Sequence, residues 1–170
     1  MSSLWRRISA REEGVTLVEL MITTLILSLV VASMLTFFGS LQRTAAREAS
    51  RSEATDAIRV AMDRMTKDIR QAIDIRAGSG AAFIDMDTFI DGVQHRIAYD
   101  ASVGNKLTRR IDGGTATTML ERLTSTALFV YAPDALDPSV ITVTLVARPE
   151  KFSQDVSDVT LTSEVKLRNR

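Results

Sequence analysis

From Val15 to Phe38 the chain runs for 24 residues with one charge, Glu19, and otherwise only apolar or hydroxylated side chains. About 20 such residues cross the hydrocarbon core of a bilayer, so the run predicts a membrane-spanning helix. A secretory signal fits less well. Its apolar stretch is roughly 7–15 residues long and ends on small residues, whereas Ala32-Ser33 lies inside this one. A carboxylate within such a span costs about 2–3 kcal/mol, so Glu19 calls for a role. Flanking charge does not orient the span. Arg6, Arg7 and Arg11 precede it, and Arg43, Arg47 and Arg51 follow it. The short N-terminal side and long C-terminal part favour a head outside the cytoplasmic membrane.

The helical pattern does not stop at the end of the span. Leu41 to Arg76 holds neither Pro nor Gly and is rich in Ala, Arg, Glu and Met, which favours one helix from Val15 to about Ala77. Ala54, Ala57, Ile58, Ala61, Met62, Met65, Ile69, Ala72 and Ile73 fall at three- and four-residue steps along one stripe. Arg59, Asp63, Arg64, Lys67 and Arg70 take the other side. Gly39 marks the change from an all-round apolar to an amphipathic helix, and Gly78-Ser79-Gly80 provides an end.

Beyond Gly80 short alternating segments take over. Strand-like runs at Phe83–Asp87, Gln94–Asp100, Lys106–Ile111, Ala127–Ala132, Val140–Ala147 and Val159–Leu167 are divided by turn signals such as Asp91-Gly92, Gly104-Asn105 and Asp112-Gly113. Met119–Leu123 is ambiguous between strand and helical turn. The expected fold class is α+β, a long N-terminal helix packed on one small antiparallel sheet of five to seven strands. The expected division is a leader at 1–14, a span at 15–39, an amphipathic helix at 40–77 and a sheet head at 78–170.

The segment Arg11-Glu12-Glu13-Gly14-Val15-Thr16-Leu17-Val18-Glu19 resembles the processing and assembly signal of type IV pilins and type II secretion pseudopilins. That resemblance implies cleavage between Gly14 and Val15 by a prepilin peptidase and N-methyltransferase, and methylation of the new Val15 amine. It also implies filament assembly through Glu19, paired with the amine of a neighbouring subunit. Val replaces the usual Phe at the first mature position. Asp68-Ile69-Arg70-Gln71-Ala72 and the ending Leu167-Arg168-Asn169 are similar, more loosely, to PilW-type minor pilins and J-type pseudopilins. Implied partners are other minor pilins or pseudopilins, the major subunit and an inner-membrane assembly platform. The expected function is a filament-priming or filament-entering subunit of the cytoplasmic membrane and then of a pilus or pseudopilus. It is not an enzyme and has no cofactor. The alternatives are a major structural pilin, or a signal-anchored extracytoplasmic domain that binds or catalyses without polymerising.

The remaining residues carry weaker signals. Thr16, Thr23, Thr24, Ser28, Ser33 and Thr36 either line helix–helix contacts or bond back to their own helix. His95 is the sole histidine and reads as a surface strand residue. Asp85, Asp87 and Asp91 are spaced poorly for calcium, since Phe89 interrupts them and the glycine comes late. Asp155 and Asp158 read as a solvated loop. Asp85, Asp87, Asp155 and Asp158 are therefore weak metal candidates, and no metal is expected. With 21 basic and 21 acidic residues, no net field favours direct nucleic-acid binding. Cysteine is absent, so the stability of the head has to come from packing.

Overall fold

The structure, a computed structural model, describes residues 15–135, 137–150 and 157–168. It consists of two compact units, 1–44 and 45–170. One helix, α1 (Leu17–Arg70), contributes to both. The architecture is a long N-terminal helix with antiparallel sheets, as the α+β reading expected.

In the first unit α1 is apolar on every side. Its most apolar 18-residue window has a mean hydropathy of 2.3 and no buried residue, and it remains helical through Gly39. The hydroxyls scattered along it turn inward. Those of Thr23, Thr24, Ser28, Ser33 and Thr36 each donate to a carbonyl three or four residues back, at 2.7–3.0 Å. That bonding satisfies the hydroxyls within the helix itself.

In the second unit α1 buries Ile58, Ala61, Met62, Met65 and Ile69, the stripe read from the sequence. Its end differs from the expectation. α1 stops at Arg70, and Ala72–Ile75 forms a strand, β1, with Ala72 and Ile75 buried. Tertiary pairing overrides local propensity here. Gly78, at φ 102°, falls in the turn after β1 instead of capping the helix. Orphan carbonyls of the last turn are met by other elements: the Thr88 hydroxyl donates to the Asp68 carbonyl (3.2 Å) and the Arg168 amide to that of Arg70 (3.4 Å).

Eight strands form two sheets rather than one. β1, β2 (Phe83–Ile90), β3 (Val93–Asp100), β4 (Leu107–Ile111) and β5 (Thr117–Leu120) make a five-stranded antiparallel meander. β6 (Phe129–Ala132), β7 (Val140–Ala147) and β8 (Val159–Lys166) make a three-stranded one. The Ala81 carbonyl accepts the Leu128 and Phe129 amides, and Leu123 bridges Ala147, so the two sheets are stitched together. The hairpin at Asp91-Gly92 has both residues at positive φ (51° and 83°), the two-residue turn its sequence signalled. Helix stripe and both sheets share one core, which includes Met65, Ile84, Tyr99, Ile141 and Leu145.

Candidate functional site

Two places carry chemistry, one in each unit. The first is the start of α1. The Thr16 carbonyl accepts the Leu20 amide (3.0 Å) and the Thr16 hydroxyl accepts the Glu19 amide (3.2 Å). Thr16 is thus the N-cap and Glu19 the third helical residue, the spacing of a capping box. A carboxylate in the first turn also suits the helix dipole. Val15 is exposed, and Glu19 lies on the exposed first turn. Gly14 lies outside the described residues. Sequence reading singled out Glu19 and counted Thr16 among the hydroxyls of the span, but missed its capping role, although the Thr16-x-x-Glu19 pattern was the available signal.

The second is a polar cluster in the head, where the last turn of α1 meets β3 and β4. Asp68 and Arg109 are both more than nine-tenths buried. Asp68 Oδ2 accepts from the Tyr99 hydroxyl (2.8 Å) and from Arg109 Nε (3.0 Å) and Nη2 (2.8 Å). Burial disfavours the Arg109 charge, but the Asp68 carboxylate outweighs it, so the guanidinium is held above its ordinary pKa. Burial, and then the neighbouring Asp68 charge, push the Tyr99 phenol far above its ordinary value, and burial does the same to Tyr131.

These shifts predict alkaline instability. Both phenols are neutral in either state below about pH 10, so they add no pH dependence there. Above that pH the unfolded chain loses two protons that the fold retains. Stability therefore falls as pH rises, by up to about 1.4 kcal/mol per unit for the buried Tyr99 and by less for the partly exposed Tyr131. Near-ultraviolet phenolate absorbance is expected to appear together with loss of circular dichroism. Smooth titration of both tyrosines in the folded protein would contradict this.

Three of the four weak metal candidates, Asp85, Asp87 and Asp158, already have cationic partners. Arg96 clamps Asp85 (Nε at 3.0 and 3.1 Å), and Arg76 Nη2 reaches both oxygens of Asp87 at 3.0 and 2.9 Å. Arg148 holds Asp158 at 3.0 Å, which lowers the pKa of that carboxyl. Asp155 lies outside the described residues. Asp91 sits in the β2–β3 turn, away from this pattern. No group of three potential ligands is found among the described residues. His95 Nδ1 lies 2.7 Å from Asp112, whose carboxyl is held below its usual range first by that bond and then by the Arg96 amide.

Beside the buried cluster opens a cleft of about 650 Å³ between the end of α1 and the β2–β3 turn. Arg64, Lys67, Arg168, Phe89, Ile90 and Arg109 are among the residues that line it. Sequence reading placed Arg64 and Lys67 on a solvated helix face and did not bring Arg168 to them.

A scan against family models and searches of curated proteins and of solved structures return no match to the chain.

Proposed function

We propose that the chain is the precursor of a minor pilin or pseudopilin. A prepilin peptidase cuts it between Gly14 and Val15 and methylates Val15. The apolar part of α1 holds the product in the cytoplasmic membrane with the head outside, until it enters or primes a filament. The observation that carries this reading is the order Gly14-Val15, then Glu19, at the head of the apolar span. A helix exposed all round over that span, continuing into an α+β head, supports it. The looser likeness to PilW-type and J-type proteins favours a place among the minor, tip-forming subunits.

The test is intact-mass and N-terminal peptide mass spectrometry of the protein extracted from membranes. A chain beginning at Val15 with one added methyl group is expected. Substituting Gly14 by a bulky residue is expected to leave the precursor uncut in the membrane. A Met1 start, in cells whose other prepilins are processed, would overturn the reading and favour a signal-anchored domain.

A further inference from the structure

We infer that the cleft between the end of α1 and the β2–β3 turn binds an acidic peptide segment that carries an apolar side chain. This inference stands apart from the filament reading, since it uses only the head.

Three observations carry it. The first is the distribution of unpaired cations. Arg76, Arg96, Lys106, Arg109, Arg122 and Arg148 each lie within 4.0 Å of a carboxylate oxygen. Arg64, Lys67 and Arg168 have no such partner among the described residues, as is true also of Arg70, Arg110 and Lys166, but the first three line one cleft together. The Arg168 amide, bonded to the Arg70 carbonyl, ties the C-terminal segment to the end of the helix and so fixes this convergence.

The second is Arg109, which also lines the cleft. Arg109 spends Nε and Nη2 on Asp68, and Nη1 takes no part in those bonds. A positioned guanidinium edge is a strong carboxylate donor. The third is the apolar wall. Phe89 is 45% exposed near the end of β2, and it lines the cleft with Ile90 beside it. The volume, about 650 Å³, lies in the range of pockets that enclose a few residues or a small ligand.

Carboxylates two residues apart on an extended peptide lie roughly 6.5–7 Å from one another. Arg64 and Lys67, one helical turn apart, have Cβ atoms separated by about 5–6 Å, a spacing their long side chains adapt to such a pair. An apolar residue of the same peptide then packs on Phe89. Asp91 also lines the cleft and opposes a dense run of negative charge more than a peptide with spaced carboxylates, and the chain has no net positive charge to favour a nucleic-acid or other polyphosphate track.

The experiment uses the full chain in detergent micelles and fluorescence anisotropy. The probe is a labelled peptide with alternating glutamates and one central phenylalanine. Its counterpart has glutamine at each glutamate, and inorganic phosphate serves as a competitor. Wild type is expected to bind the acidic probe at low salt and to bind the glutamine form at least about tenfold more weakly. Arg64→Gln/Lys67→Gln is expected to weaken binding about tenfold with an unchanged thermal melt, since both positions are exposed. Phe89→Ser is expected to cost severalfold. Absent binding by wild type, or equal binding of the two peptides or by the double variant, would overturn the proposal. So would displacement by millimolar phosphate with no effect of Phe89→Ser, which would mark a simple anion site.

Discussion

Asp68→Ala is expected to destabilise the head by about 3–5 kcal/mol, and Arg109→Ala by a similar amount. Each change leaves its partner as an uncompensated charge in a buried place. Asp68 sits in the last turn of α1, where the helix dipole disfavours an acid, so its tolerance there depends on Arg109 and on the Tyr99 hydroxyl. Folded domains are stable by only about 5–15 kcal/mol, so either single variant removes a large share. The double variant Asp68→Leu/Arg109→Met is expected to recover most of the loss, because an apolar pair of similar volume is often no worse than the ion pair. Tyr99→Phe removes one hydrogen bond to a charged group and is expected to cost about 1.5–3 kcal/mol. Urea denaturation followed by circular dichroism checks all four. A loss below about 1 kcal/mol in both single variants would show that water reaches the pair in solution.

The cluster also accounts for where α1 ends. Thr88 on β2 takes the Asp68 carbonyl, Tyr99 on β3 and Arg109 on β4 take its carboxylate, and the Arg168 amide takes the Arg70 carbonyl. Four separate parts of the head thus close a terminus that the sequence assigned to Gly78. Reading helix into Ala72 and Ile73 was reasonable locally, since both continue the apolar stripe. What defeats it is pairing with β2, Ala72 against Thr88 and Ile75 against Met86, and that partner is distant in the chain.

The strands were easier. Asp91-Gly92 and Asp112-Gly113 both adopt positive φ, and turn chemistry of that kind is local and therefore legible. The split into two sheets is not local. β5 and β6 form no ladder, and the two sheets are joined instead where Ala81 receives amides from Leu128 and Phe129, which no periodicity announces. Part of the buried pair was readable, however. Asp68 lies three residues after Met65 on the apolar stripe, and Arg109 and Tyr99 share the inward alternation of Leu107 and Ile97. A lone acid on a core stripe and a lone base at an inward strand position imply one another, because neither tolerates burial unpaired. The cleft needed the structure, since Arg168 reaches Arg64 and Lys67 only through the fold.

On the proposed reading, Glu19→Gln is expected to abolish filament entry while leaving cleavage after Gly14 intact, and this variant separates the proposed pairing role from the place of Glu19 at the helix start. With Thr16 as N-cap, Glu19 stands where a capping-box side chain acts. Glutamine serves that role nearly as well as glutamate, and the dipole contribution it forfeits is about 0.3–1 kcal/mol. If Glu19 only starts the helix, Glu19→Gln enters filaments at close to the normal level. If, as proposed, the carboxylate pairs with the methylated Val15 amine of a neighbour inside an apolar bundle, losing one charge strands the other. A stranded charge costs about 3–5 kcal/mol, which corresponds to a hundredfold or greater loss of incorporation. Quantifying the variant in sheared filaments against its processed pool in the membrane decides between them. Thr16→Val supplies the reciprocal control, since it removes the cap but keeps the charge. That variant is expected to lose no more than about fivefold, in line with an N-cap worth about 1 kcal/mol. Normal incorporation of Glu19→Gln together with failure of Thr16→Val would reverse the assignment and make Glu19 a helix-starting residue.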